Sequence, residues 1–309
     1  MIHDEKPTMN RRFLIALVLC VATSRVFGQA QTAMDKAVSR AMHGRQGAAV
    51  VLDVSSGKIV ARYGLARAGQ RIVRPGSAIK PFVLATLADT GALGESSAVH
   101  CSRQLNLAGR KLNCGHPAVV GNLGPVEALA YSCNTYFTSM GAKLTPAQLR
   151  DGLQGWGVAS HTGLAKHEIA GRVDLSRNQE QTELQSIGEE NILVTPLGLL
   201  NGYLRLARER RTAGAGAHAV VFRGLEAATE YGMARLAQPA QGIALRVAGK
   251  TGTSMAAEGP WTHGWFAGYA PSDAPEVVLI VFLENGSGPA DAAPIGRQLF
   301  EAWARERGR

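Results

Sequence analysis

The chain has 309 residues, 46% of them hydrophobic, enough to bury a sizeable core in one large domain or two small ones. Its 33 Lys and Arg against 24 Asp and Glu give a formal charge of +9. The basic residues are scattered and no nucleic-acid motif accompanies them, so no nucleic-acid partner is expected; the charge fits an extracytoplasmic surface facing an anionic wall or membrane.

Asn10, Arg11 and Arg12 precede an apolar run over residues 13–22, and small residues follow through Gly28 and Ala30. This is the pattern of a secretory signal, cleaved after Gly28 or Ala30. The expected organisation is a leader over residues 1–30 and a single domain over residues 31–309, exported to the periplasm or another extracytoplasmic space and soluble after cleavage. The alternative is an uncleaved anchor, although the run is only about half the length that spans a bilayer. In an exported protein, Cys101 and Cys114 are candidates for a short-loop disulfide, with two free buried thiols as the alternative.

Apolar spacing predicts a helix over residues 32–45, then a hairpin of strands 47–54 and 58–63 about the turn Ser55-Ser56-Gly57. A helix is expected from Ser77 to about Thr90, stopped by Gly91. Residues 99–125 read as an irregular excursion. Helices follow over 126–144, interrupted near Ser132, and over 146–156. Residues 163–185 read as a polar loop. Pro196 opens a strong helix to Arg210, and another is expected over 225–236. Strands at 247–254, 264–270 and 276–284 precede a closing helix over 289–307. Strands at both ends and helices between them predict an α/β (α+β) fold: one antiparallel sheet built from both chain ends, flanked by helices, with a large all-helical insert.

Three short motifs carry chemistry. Ser77 and Lys80 are three apart at the start of a helix, so hydroxyl and amine share one face. The commonest fate of such a pair is a helix-starting serine with a solvated lysine. A lysine whose pKa is depressed by burial or by a second cation can instead take the serine proton. Ser132 and Asn134 follow between aromatics; a second hydroxyl can relay a proton, and an amide both donates and accepts. Lys250, Thr251, Gly252 and Thr253 lie on a predicted strand. Lys250 is expected to add positive potential that lowers the pKa of Lys80, the two hydroxyls to hold a carboxylate, and Gly252 to let a substrate backbone approach. Each motif alone is weak; in this order they form a set that recurs in penicillin-processing serine enzymes.

With these motifs the chain resembles the transpeptidase domain of penicillin-binding proteins, over roughly residues 46–305. The hairpin 48–61, the segment 75–82, the run Ser132-Cys133-Asn134-Thr135-Tyr136-Phe137, the pair of segments 186–188 and 194–197, and the strand at 264–271 all look like parts of the family's high-molecular-weight members. The resemblance implies that Ser77 is acylated, Lys80 is the general base, Ser132 passes the proton to the leaving group and Asn134 orients Lys80 and the substrate amide. It implies that Lys250, Thr251 and Thr253 hold the substrate carboxylate and that the backbone N–H groups of Ser77 and Thr253 form the oxyanion hole. The substrates would be peptidoglycan stem peptides ending in D-Ala-D-Ala, released to an amine or to water, with β-lactams as covalent inhibitors. A membrane-bound partner of wall synthesis would supply glycan strands or location.

No cofactor and no metal are expected, because the histidines, His116 and His263 among them, lack metal-ligand spacing and read as surface or capping residues. Glu189-Glu190 stand where the family usually has Gln-Gly, and the family's N-terminal domains have no counterpart in this sequence. The alternatives are a β-lactamase and a non-catalytic sensor or partner-binding protein. Against the β-lactamase, neither Glu180 nor Glu183 is followed by the Leu-Asn of the class A pattern.

Overall fold

The computed structural model describes residues 1, 32–94, 97–118, 121–213 and 216–308; the expected leader lies outside them. Thr32–Arg309 forms one compact unit. Its centre is a five-stranded antiparallel sheet in the order β2-β1-β5-β4-β3, where β1 is Gly47–Asp53, β2 Ile59–Tyr63, β3 Ala248–Met255, β4 Thr262–Ala270 and β5 Val277–Leu283. The sheet joins the two ends of the chain as expected: β1 pairs with β5 from Gly47 against Leu283 to Asp53 against Val277.

Both faces of this sheet are buried, which is why β1 and β5 read as continuous apolar runs. Strand residues alternate between faces. Val50 and Leu52 of β1 and Val278, Ile280 and Phe282 of β5 face the core beneath the helical insert. Their neighbours Ala49, Val51, Val277, Leu279, Val281 and Leu283 face a second core. That second core is closed by α1 (Ala33–Ala41) and the last helix, α10 (Ala293–Glu306), through Met34, Val38, Leu299, Phe300 and Trp303.

The insert carries α2 (Leu65–Gln70), α3 (Lys80–Asp89), α4 (Pro125–Ala130), α5 (Asn134–Gly141), α6 (Pro146–Gly155), α7 (Gln179–Ser186), α8 (Pro196–Ala213) and α9 (Ala219–Glu230). The interruption expected near Ser132 separates α4 from α5. Two expectations shift. The helix expected at 225–236 lies at Ala219–Glu230, and Gly232, just beyond it, packs where a Cβ would collide with the Ala130 carbonyl. The expected loop 163–185 contains the start of α7, whose inward face is largely polar: Thr182, Gln185 and Ser186 are buried, so apolar periodicity does not reveal it. None of the described helices is long and apolar enough to cross a membrane.

Candidate active site

Ser77 sits in a single 3-10 turn, Gly76–Ile79, that leads directly into α3. Gly76 has φ +50°, and a Cβ there would collide with the Thr253 carbonyl oxygen. Glycine is therefore required both for the left-handed backbone and for the approach to β3. The turn is tied on several sides. Gly76 N donates to Gly188 O at 3.2 Å, Ser254 Oγ to Arg74 O at 2.8 Å and Tyr203 Oη to Ala78 O at 2.9 Å. Ser77 is thus held at a helix N-terminus beside the edge strand β3.

Lys80, one turn on, is completely buried. Its Nζ donates to Ser132 O at 2.7 Å and Asn134 Oδ1 at 2.6 Å, lies 3.4 Å from Ser132 Oγ, and stands 5.3 Å from the Phe137 ring centre. Asn134 is fixed in turn: its Nδ2 donates to Leu112 O at 2.9 Å. Ser132 adopts φ +58°, a strained conformation for a residue with a Cβ. That strain brings its carbonyl and hydroxyl to the buried amine. Lys250, also completely buried, places Nζ 2.8 Å from Ser132 Oγ and donates to Thr251 O at 2.9 Å.

Burial lowers the pKa of Lys80 to about 8, opposed by the neighbouring Cys133, Cys114 and Glu189. Lys250 is pushed well below the usual lysine range by burial first and by the charge of Lys80 second. Burial is the first cause for both amines, and their charges oppose one another across Ser132.

Ser77, Ser132, Asn134, Thr251, Gly252 and Thr253 line one cleft of about 200 Å³. Its remaining wall includes Asn113, Gly115, Met233 and Pro289, which carry no motif and were not legible in the sequence. Thr253 Oγ1 accepts from Gly288 N at 3.0 Å, and a Cβ on Gly252 would press on Pro75 O and Ala78 N. Gly252 thus serves close packing of β3 on the Ser77 turn. A neighbouring apolar groove of about 360 Å³ shares Tyr131, Met233 and Pro289 with the cleft. Among the described residues, no Asp or Glu lines the cleft; Glu180 instead accepts from Ala108 N at 2.9 Å. Glu189 is buried and pairs with Arg110.

Beneath Asn134, the structure brings together four buried groups that the sequence reading kept apart: Cys101, Cys114, His116 and Cys133. The expected Cys101–Cys114 bridge is not formed. Both are free thiols with sulfurs 3.6 Å apart, and Cys114 Sγ is also 3.8 Å from Cys133 Sγ. A bridge would need about 2.05 Å. The hydrogen bond between Cys114 and Cys133 lowers the pKa of Cys114 and raises that of Cys133. His116, expected at the surface, is buried, with Nδ1 2.7 Å from Pro117 O. The close pair Cys114 and His116, with one residue between, was the available signal.

Residues 47–301 match the sequence profile described as penicillin binding protein transpeptidase domain. The chain belongs to this family. Among curated relatives of the penicillin-binding family, it is 29% identical to the peptidoglycan D,D-transpeptidase PbpA of Mycobacterium tuberculosis over 210 residues, covering 57% of this chain and 43% of that one. It is 24% identical to the peptidoglycan D,D-transpeptidase MrdA of Acinetobacter baumannii over 299 residues, covering 78% of this chain and 44% of that one. The chain thus spans less than half the length of these two penicillin-binding relatives. Among solved structures, Pseudomonas aeruginosa PBP2 in complex with WCK 5153 superposes with TM-score 0.75 at 22% identity, over 88% of this chain and 74% of that one. A peptidoglycan glycosyltransferase structure from Burkholderia ambifaria superposes with TM-score 0.74 at 20% identity, over 90% of this chain and 94% of that one. The fold is therefore that of penicillin-binding transpeptidases, with the antiparallel sheet and helical insert expected.

Proposed function

We propose that this chain is a serine D,D-acyltransferase of peptidoglycan, acting on stem peptides that end in D-Ala-D-Ala, and that β-lactams acylate it at Ser77. The observation that carries this reading is the wholly buried Lys80 amine, one helical turn from Ser77 and in contact with both Ser132 and Asn134.

Neutral Lys80 takes the Ser77 proton as Oγ attacks the carbonyl of the penultimate D-Ala. The backbone N–H groups of Ser77 and Thr253 stabilise the oxyanion. Ser132, between the two amines, relays the proton to the departing D-Ala nitrogen, and Asn134 holds Lys80 and the substrate amide in register. Lys250, Thr251 and Thr253 receive the terminal carboxylate, and the peptide lies along the edge strand β3, which Gly252 lets pack close to the Ser77 turn. The acyl-enzyme then passes to an amine, giving a cross-link, or to water, giving a trimmed stem. The names of the relatives favour the amine. The lack of a cleft carboxylate among the described residues favours slow hydrolysis over β-lactamase turnover, which needs an activated water. The leader-like pattern of the N-terminal sequence and the +9 charge support an exported enzyme that works beside a membrane-bound partner of wall synthesis.

Intact mass after incubation with benzylpenicillin tests the reading. A lasting adduct on the parent and none on Ser77→Ala is the expected result. Rapid loss of the drug with no lasting adduct points to a β-lactamase, and neither adduct nor drug loss with several β-lactams would sink the acyl-transfer reading.

A further inference from the structure

The cluster of Cys101, Cys114, His116 and Cys133 takes no part in acyl transfer, yet all four side chains are buried and their donor atoms lie within 4.8 Å of one another. The spacing has a definite shape. Zinc bonds sulfur at about 2.3 Å and imidazole nitrogen at about 2.0–2.1 Å, so a tetrahedron around it has S–S edges of about 3.8 Å and S–N edges of about 3.6 Å. The sulfur pairs stand at 3.6 Å (Cys101 with Cys114) and 3.8 Å (Cys114 with Cys133), and Cys101 Sγ is 3.5 Å from His116 Nε2.

The surroundings are those of metal ligands. His116 Nδ1 lies 2.7 Å from the Pro117 carbonyl oxygen, so it carries the proton and leaves the Nε2 lone pair facing the sulfurs. Each sulfur accepts a backbone N–H: Cys101 from Arg103 at 3.4 Å, Cys114 from Asn134 at 3.2 Å and Cys133 from Tyr136 at 3.4 Å. Such bonds favour thiolates.

We propose that Cys101, Cys114, Cys133 and His116 form a structural zinc site that pins the Ser132–Asn134 turn to the excursion over residues 99–125. Three thiolates and one imidazole in a tetrahedron select zinc over oxygen-preferring cations, and four protein ligands leave no open position for catalysis. On binding, Zn–S bonds replace S–H bonds and the displaced protons go to solvent. The described ladders of the excursion are only two-residue pairs, Val99–His100 with Asn122–Leu123 and Asn106–Leu107 with Arg110–Lys111. Cys133 lies between Ser132 and Asn134, and Cys114 holds the Asn134 N–H. The four ligands are therefore positioning residues for the amide and hydroxyl that meet Lys80.

The test is metal content and cobalt spectroscopy on the full chain purified under reducing conditions. The expected results are one zinc per chain by elemental analysis and, after exchange with Co²⁺, tetrahedral d–d bands with thiolate-to-cobalt charge transfer. His116→Ala is expected to keep the charge transfer and to weaken Co²⁺ affinity by about tenfold or more in chelator competition. Folded protein that binds neither ion overturns the site. So does native protein two hydrogens lighter than its thiol form, which would carry the Cys101–Cys114 bridge instead. Metal binding that His116→Ala leaves unchanged overturns this donor set. If His116→Ala fails to fold, the parent's cobalt spectrum decides alone. None of these readouts depends on acyl transfer, so the metal site and the enzyme reading fail separately.

Discussion

Ser132 Oγ lies 2.8 Å from Lys250 Nζ and 3.4 Å from Lys80 Nζ, so one hydroxyl stands between two completely buried amines. Two amines at this spacing cannot both be charged at low cost. Burial pushes both amines below the usual lysine range, Lys80 to about 8.

Acylation is therefore expected to follow the Lys80 proton. With neutral Lys80 as the proposed base, the second-order rate of benzylpenicillin acylation should rise about tenfold per pH unit below pH 8 and level off above it. A pH profile by rapid quench checks this. A rate flat from pH 6 to 9 would remove Lys80 as the base.

Glu189 adds a negative charge that raises the Lys80 pKa against the effect of burial. Glu189→Gln should move the ascending limb of the profile to lower pH and speed acylation on that limb, leaving the plateau unchanged. Its Arg110 partner is only partly exposed and would lose an ion pair, so a modest fall in stability is expected beside the kinetic shift.

The same proton governs stability. The folded-state pKa of Lys80, about 8, lies below its ordinary 10.5. Below pH 8 both states bind the proton and the folded state bears the whole cost of burying it. Between pH 8 and 10.5 the folded state sheds the proton first, so stability rises with pH. Lys80→Met removes this dependence, so the stability of the parent minus that of the variant should climb by up to about 1.4 kcal/mol per pH unit in that window. Denaturant titrations at pH 7.5, 9 and 10 check the slope.

Ser132 pays for its position in backbone strain, at φ +58°. Ser132→Gly and Ser132→Ala both lose the hydroxyl, and both should acylate at least about a hundredfold more slowly if it relays the proton. They should differ in stability, with glycine about 1 kcal/mol above alanine because only glycine is at ease in the left-handed region. Equal stability of the two variants would mean that the turn relaxes.

Gly76→Ala combines a forbidden backbone region with a collision against Thr253 O. It should cost on the order of 1–3 kcal/mol of stability and displace the Ser77 turn from β3, cutting acylation as well. Thermal melts and adduct kinetics read the two effects separately.

The sequence by itself carried the apolar runs of β1 and β5, the order of Ser77-x-x-Lys80, Ser132-x-Asn134 and Lys250-Thr251-Gly252, and the break between α4 and α5. These are local facts: continuous apolar strands, helix starts, and short motifs whose spacing along the chain is their geometry. The tertiary structure decided what depends on residues far apart. It showed that Lys80 and Lys250 are both completely buried about one hydroxyl, and that Glu189 pairs with Arg110. It also gathered Cys101, Cys114, His116 and Cys133 into one cluster. Burial and charge are sums over neighbours from many segments, and no window of sequence contains them. The polar inner face of α7 stayed hidden for the same reason, since its Thr182, Gln185 and Ser186 are buried by packing, and Ser186 donates to the distant Phe137 carbonyl.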